Sequence, residues 1–299
     1  MPRYARNDGY LSAILLLPLF AYAAWIWQHN HDVPPPTEAE LGSALEAGIG
    51  WTAANAERLL ATNNPMLWRM LQQSARLTGD VRLQALFDRY AQCYLGRDPD
   101  YLWRPLFQDG VWIPVTPASL EGLPYYNRHF IFSLTCDADL WALPDIQAQN
   151  QAGFCDGHRL RSACVTHQLM GLRLQQRKQC PQDPDLAATV SRLQARLVGQ
   201  LTWDPRPVDV YLQRVLMLTE SRAGGQVKPA WLRRLLQAQL TDGSWTNTPA
   251  LLPLPGARDL VWTRNGIWPG RAVGSFHTTA QGVYVLSLLL YGQGDEGRL

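Results

Sequence analysis

Residues 231–245 have the sequence Trp-Leu-Arg-Arg-Leu-Leu-Gln-Ala-Gln-Leu-Thr-Asp-Gly-Ser-Trp, in which an amphipathic helix ends at an Asp-Gly pair. A long loop follows, and residues 275–290 then read Ser-Phe-His-Thr-Thr-Ala-Gln-Gly-Val-Tyr-Val-Leu-Ser-Leu-Leu-Leu. The second stretch is an apolar helix that starts with polar residues, and His277 lies in that start. This order predicts paired helices that place a polar residue at the mouth of a central cavity.

An internal repeat supports the pairing of helices. Residues 197–204, Leu-Val-Gly-Gln-Leu-Thr-Trp-Asp, resemble residues 236–245, and a loop and an apolar helix follow each copy. Segments 164–171 and 126–133 can be aligned as earlier copies and contain His167 and His129. The two later copies align Asp209 with His277 and Gln213 with Gln281.

Capping signals predict helices along most of the chain, and no convincing period-two alternation indicates strands. Thr37, Asn64-Pro65, Asp80 and Asp183-Pro184 are typical helix starts. We predict helices over residues 37–61, 80–95, 125–143, 162–178, 184–201, 208–221, 228–240 and 277–291. A further helix is predicted to start at residue 65. Residues 96–123 are predicted to form a long structured loop. The fold class is therefore all-α.

Each repeat unit would consist of an outer helix, a turn and an inner helix. Packing such units side by side buries their apolar faces, and closing the row gives an α/α toroid over residues 41–299. The sequence leaves an open stack of helix pairs as the alternative to a closed ring.

The motif at residues 239–245 resembles the Gln…Asp-Gly-x-Trp repeat of the superfamily of terpenoid cyclases and protein prenyltransferases. Phe276-His277-Thr278 is similar to the His-Thr that opens an inner helix in prenyltransferase β subunits, where the histidine is a zinc ligand. The resemblance implies the toroid fold and a zinc-binding role for His277. The chain has no Asp-x-Asp-Asp motif and no matching upstream Asp and Cys ligands. The resemblance therefore does not imply the activities of that superfamily.

The starts of the inner helices indicate where chemistry would occur. Helix N-termini favour polar and anionic ligands, and His129, His167, Asp209 and His277 all lie at or near such starts. We predict His277, His167 and Asp209 as catalytic acid–base residues. The three histidines are the alternative ligands of a divalent metal such as zinc. Helix capping without chemistry is the structural alternative for each of them.

Substrate-binding residues are predicted on the same helix and in the loop before it. Gln281 and Tyr284 lie four and seven residues after His277, on one helix face. Residues 262–271 would fold over the cavity as a lid and offer Arg264, Arg271 and Trp268 to a ligand. A passive surface loop is the alternative.

Residues 10–28 form an apolar run preceded by Arg3 and Arg6. We predict a single-pass inner-membrane anchor with residues 1–9 in the cytoplasm. Residues 29–40 would be a Pro-rich spacer, and residues 41–299 a periplasmic domain. Cleavage after Ala23 by signal peptidase is the alternative to a retained anchor.

The five cysteines would then lie in an oxidising compartment, where disulfides are the default. Cys155 and Cys164 are the nearest pair, and we predict a disulfide between them. Zinc held by these two thiolates with His158 and His167 is the alternative. An odd number of cysteines leaves at least one unpaired.

The sequence predicts two alternative functions, one enzymatic and one non-catalytic. The first is an envelope enzyme that acts on a lipid-linked, peptide or saccharide substrate. The second is a non-catalytic binding or scaffold subunit of a cell-envelope protein complex. The net charge of +2 and the lack of a basic stripe indicate no nucleic-acid partner.

Overall fold

The computed structural model describes residues 8–158, 161–181, 183–204, 209–247, 250–254, 258–263 and 266–292. Over these residues the chain is mostly helical, which confirms the predicted predominance of helix. The α-helices are α1 (Asp8–Asn30), α2 (Glu38–Ala54), α3 (Ala56–Leu60), α4 (Pro65–Thr78), α5 (Val81–Tyr90), α6 (Arg104–Phe107), α7 (Tyr125–Thr135), α8 (Ala138–Trp141), α9 (Pro144–Asn150), α10 (Cys164–Lys178), α11 (Leu186–Trp203), α12 (Asp209–Glu220), α13 (Pro229–Gln237) and α14 (Phe276–Tyr291).

Three of the four predicted helix starts coincide with side-chain caps; the fourth, Asp183-Pro184, does not, because α11 begins at Leu186 without a side-chain cap. Thr37 and Glu40 form a capping box at the start of α2, with the Glu40 amide 3.2 Å from Thr37 Oγ1 and the Thr37 amide 2.7 Å from Glu40 Oε2. The Asn64 side chain accepts two backbone N–H groups of the first turn of α4, and Pro65 is the first residue of that helix. Asp80 caps α5 in the same way. Local sequence therefore fixes where these helices begin.

Five long helices form a row at the centre of the fold. α7 packs against α10, α10 against α12, α12 against α14 and α14 against α4, while α2 covers α14 and α11 covers α10 and α12. α14 is the most central element, and its buried residues run from Thr278 to Leu288. The row agrees with the predicted inner and outer helices. These packings do not show its closure into a ring.

The Gln-Leu-Thr-Asp-Gly-Ser-Trp motif joins this row to α2. Gly243 has φ +90°, and a Cβ atom there would lie 2.3 Å from the carbonyl oxygen of Ala47 in α2. Only glycine fits this turn. The Gln239 side-chain amide donates to the carbonyls of Ala44 (2.8 Å) and Gly243 (2.9 Å). The motif is thus a turn docked directly on a neighbouring helix.

The turn directs Trp245 into the core between α2 and α14. Its indole is 1% exposed, and Nε1 donates to the Leu235 carbonyl at 2.9 Å. Cβ atoms placed on Gly282 and Gly48 would lie 2.7 and 3.1 Å from the indole, so both glycines leave room for it. Trp203, its counterpart in the repeat, is 64% exposed. The earlier copy has no Asp-Gly turn to reverse the chain, which explains the difference.

A three-stranded antiparallel sheet corrects the prediction that the chain has no strands. Its strands are β1 (Ala250–Leu254), β2 (Arg258–Thr263) and β3 (Gly266–Gly270), paired in the order β1-β2-β3. Pro253 and Pro269 interrupt the alternation by which strands are usually recognised. The sheet lies in the segment that was predicted to be the loop before α14.

The N-terminal apolar run is helical, as α1. Within the described part of the chain, no helix has the length and apolarity needed to cross a membrane, so the predicted spanning segment is not found there. The end of α1 is bound to the domain. Asn30 Nδ2 donates to the Thr202 carbonyl at 2.9 Å, and Asn30 Oδ1 lies 3.2 Å from Trp231 Nε1. Arg233 donates to the Pro34 and Pro35 carbonyls, so the Pro-rich segment lies against α13.

Two disulfides stabilise the middle of the chain. The predicted Cys155–Cys164 bond is confirmed, and it ties the loop before α10 to the first residue of that helix. A second bond joins Cys136 at the end of α7 to Cys180 after α10, and Cys93 is free. With both sulfurs in a disulfide, Cys155 and Cys164 do not offer thiolates to zinc, which removes that alternative.

Candidate functional site

A pocket of about 460 Å³ opens where the N-terminal ends of α4, α7, α10, α12 and α14 meet. Each of the five helices contributes side chains from its first turns. The lining residues are Asn63, Asn64, Pro65, Met66, Met70, Tyr126, Asn127, Phe130, His167, Met170, Asp209, Gln213, Leu216, His277 and Gln281. The predicted convergence of inner-helix starts is therefore present, and it brings His167, Asp209 and His277 to one opening.

The pocket has two chemically distinct parts. Met66, Met70, Phe130, Met170 and Leu216 are apolar and buried or nearly so. The other lining side chains include amides, imidazoles and a carboxylate from the helix starts. Three methionines supply a soft apolar surface that adapts to irregular ligand shapes. The pocket thus matches a ligand with an apolar body and a polar group.

His277 and Asp209 form the central pair of the site. Nε2 of His277 lies 3.8 Å from Oδ1 of Asp209, and each side chain is 31% exposed. The pair arises because the two residues occupy the first turns of adjacent helices, α14 and α12. Thr278 Oγ1 donates to the same Asp209 oxygen at 3.1 Å. This bond fixes the carboxylate beside the imidazole.

His277 also contacts a side chain on its own helix. The Gln281 side-chain amide lies 3.0 Å from Nε2 of His277, the ring nitrogen that also faces Asp209. Nδ1 of His277 has no hydrogen-bond partner among the described residues. The Ser275 side chain caps α14 and thereby sets the position of His277.

His167 is held in an aromatic environment across the pocket. Its ring stacks on Tyr126 with centroids 4.3 Å apart and an interplanar angle of 25°, and Phe130 meets it edge-on at 6.1 Å. Burial, together with the nearby His277 imidazole, lowers the pKa of His167 to about 4. His167 is therefore uncharged at neutral pH and can accept a hydrogen bond from, or donate one to, a bound ligand.

The structure corrects the prediction that His129 belongs to this site. His129 is fully buried away from the pocket, and its Nε2 lies 3.0 Å from the Gln175 amide. A Cβ atom on Gly171 would lie 2.3 Å from its Nδ1, so the ring is packed directly against α10. His129 is the fifth residue of α7, whereas His277 is the second of α14. The extra residues place it deeper in the bundle, on a different helix face.

Buried histidines should make the protein sensitive to acid. Burial lowers the pKa values of His29 and His129 from 6.5 to about 4. Because the unfolded chain binds more protons below pH 6.5, stability is lost as the pH falls from 6.5 towards 4. We expect a loss of about 2 kcal/mol per histidine between pH 7 and pH 5, measured by urea unfolding. His29→Gln should lose about 2 kcal/mol less than the wild type over this interval; an equal loss would contradict the assignment.

Of the other residues predicted to bind a ligand, one lines the pocket and the remaining described ones do not. Gln281 lines the pocket, whereas Tyr284 is fully buried and donates to Glu220 Oε1 at 3.3 Å. Trp268 is 59% exposed and Arg271 is exposed, and neither lines the pocket. Arg264 lies outside the described residues. Trp268 lies in strand β3 and Arg271 directly follows it, and neither reaches the pocket as the predicted lid would require.

The predicted three-histidine zinc site is not assembled. Among the residues that the structure describes, no group of three or more His, Cys, Asp or Glu side chains has an arrangement suited to a metal ion. His277, His167 and Asp209 line one pocket, but the expected third imidazole of His129 is elsewhere.

Several lining residues were not identified from the sequence, among them Asn63, Tyr126, Asn127 and the methionines. The sequence does contain features that could have identified some of these lining residues. Asn64-Pro65 is a recognisable helix start, and the rule that inner-helix starts meet at one opening applies equally to α4. Gln213 aligns with Gln281 in the repeat, and both line the pocket.

No known protein family, no curated protein and no solved structure matches this chain. The resemblance to the cyclase and prenyltransferase superfamily therefore stays a prediction.

Proposed function

We propose that the pocket at the five helix starts is the active site of an acid–base enzyme. The observation that carries the proposal is the His277–Asp209 pair, 3.8 Å apart at the mouth of a pocket with a polar and an apolar part. A histidine beside a fixed carboxylate is a common arrangement of a general acid–base residue and its partner.

Each residue has a distinct role in this proposal. His277 is the general acid and base through Nε2. Asp209, held by Thr278, stabilises the imidazolium that forms when His277 takes a proton. His167, which is uncharged because burial lowers its pKa to about 4, donates or accepts a hydrogen bond at the reacting group.

The proposed substrate is amphipathic. Its polar group lies among His277, Asp209 and His167, and its apolar part packs on the methionines. A volume of about 460 Å³ lies in the range of pockets for small ligands. Lipid-linked, peptide and saccharide substrates that present an apolar portion are consistent with this division.

We further propose that the domain works outside the cytosol and that its helical row is an α/α toroid. Two disulfides support an oxidising compartment, of which the periplasm is one, and α1 is the proposed inner-membrane attachment. The succession of packed inner helices with their starts at one end supports the toroid. A scaffold subunit of an envelope complex is the competing function, and it would use the pocket without turnover.

A substrate screen tests the enzyme proposal. The purified protein is assayed against chromogenic esters, glycosides and peptides that carry apolar groups. We expect turnover in one class, with His277→Ala lowering kcat/KM by about a hundredfold or more, the usual contribution of acid–base catalysis.

Matched variants complete the screen. Asp209→Asn should also reduce turnover, whereas His31→Ala and Asp139→Asn should not, because neither residue lines the pocket. Saturable binding of the same compounds without turnover would contradict catalysis and support the scaffold function.

A further inference from the structure

A second pocket, of about 370 Å³, lies at the opposite end of the central helices. It is bounded by later residues of α4, by Leu134 near the end of α7, by the last turn of α10 and by α6. It is therefore separate from the proposed active site, which lies at the starts of α4, α7 and α10.

Positive charge dominates this second pocket. Arg69, Arg76, Arg177 and Lys178 line it, and Asp109 is its one lining carboxylate in the described part of the chain. Glu220, just behind the wall, accepts from Arg69 at 2.7 Å and from Arg177 at 3.0 Å. After both carboxylates are counted, two positive charges remain uncompensated.

Arg76 is the cation without an internal partner. Lys178 lies 3.4 Å from Asp109, and Glu220 occupies Arg69 and Arg177. The Arg76 guanidinium is exposed, and no hydrogen bond or ion pair to the described residues holds it. Cations near helix ends can be stabilised by backbone carbonyls. Stabilisation by backbone carbonyls would explain one or two cations at a helix end. It does not explain why four cations surround one pocket.

Gln73 supplies a further polar group to the pocket. It lines the pocket at 9% exposure, and within the described residues its side-chain amide has no hydrogen-bond partner. The amide atoms keep some exposure, so a polar group bound in the pocket can reach them.

We propose that this basic pocket binds a phosphate monoester. A phosphate monoester carries a charge of about −2 near neutral pH and so matches the two uncompensated positive charges. The guanidinium of Arg76 offers paired N–H donors suited to phosphate oxygens, and the Gln73 amide adds a donor. Leu106, Phe107 and Leu174 form an apolar wall for the organic part of the ester.

Calorimetric titration with phenyl phosphate tests the proposal on the whole protein. We expect saturable binding that weakens with added salt and is at least about tenfold tighter than binding of phenyl sulfate, a monoanion. Arg76→Gln should weaken it by about tenfold or more, because it removes a charged donor pair. Gln73→Leu should weaken it too. Arg97→Gln, which removes an exposed arginine outside the pocket, should leave it unchanged.

Vesicles distinguish the source of the phosphate group. If phosphatidic acid vesicles, but not phosphatidylcholine vesicles, bind the protein through Arg76 and compete with phenyl phosphate, the natural ligand is a lipid headgroup. If only phenyl phosphate binds, it is a soluble phosphate ester. Failure of inorganic phosphate, phenyl phosphate and phosphatidic acid vesicles to bind would overturn the proposal. Binding that is insensitive to both Arg76→Gln and Gln73→Leu would also overturn it.

Discussion

Trp245→Ala is expected to lower the free energy of unfolding by about 3–5 kcal/mol, the usual loss for a fully buried tryptophan. The indole fills a slot that Gly48 and Gly282 leave open between α2 and α14, and it donates a hydrogen bond to Leu235. Removing it leaves a cavity beside the most central helix and an unpaired carbonyl. Urea unfolding followed by circular dichroism measures the loss.

Trp112→Ala is the matched control, because Trp112 is 71% exposed and its loss should cost well under 1 kcal/mol. Equal losses in the two variants would show that the docked turn does not anchor the fold. We expect Trp245→Ala to disturb the start of α14 as well, since the indole packs directly on Gly282 of that helix.

Glu220→Gln should be nearly as destabilising, by about 3–5 kcal/mol. The Glu220 carboxylate is 5% exposed and accepts from Arg69, Arg177 and Tyr284. Burial alone would lower the pKa of Arg69, but the Glu220 charge raises it above its usual value. Without that charge, a fully buried guanidinium loses its counter-ion.

Glu57→Gln provides the comparison. Glu57 pairs with Arg89 at a similar distance of 2.7 Å, but its side chain is 82% exposed. Exposed pairs contribute about 0–1 kcal/mol, so this variant should unfold almost like the wild type. A small effect of Glu220→Gln, comparable to that of Glu57→Gln, would contradict the view that Glu220 neutralises a buried charge.

Helix positions were largely predictable because local signals determine them. Thr37, Asn64 and Asp80 satisfy backbone N–H groups within their own first turns, so their effect does not depend on distant residues. The sheet of residues 250–270 was not predictable in this way. Its strands are short, β1 and β3 contain proline, and the stability of all three depends on pairing with one another.

The residues of the site were predictable where the repeat units have equivalent positions in the structure, and not where they differ. Asp209 and His277 occupy corresponding positions in two units, and the structure brings them together. His129 lies in one of the two earlier copies and is the fifth residue of its helix, which places it about one turn deeper than His277. The role of Gly243 in docking on α2 explains why one copy buries its tryptophan while the other exposes Trp203.

A double-mutant cycle on His277 and Asp209 tests the central claim most directly. It compares kcat/KM of the wild type, His277→Ala, Asp209→Asn and the double variant on the substrate class found by the screen. If the two residues act as one acid–base unit, Asp209→Asn will reduce turnover in the wild type but have almost no further effect in the His277→Ala background. Additive losses, or full activity in His277→Ala, would contradict the proposed active site.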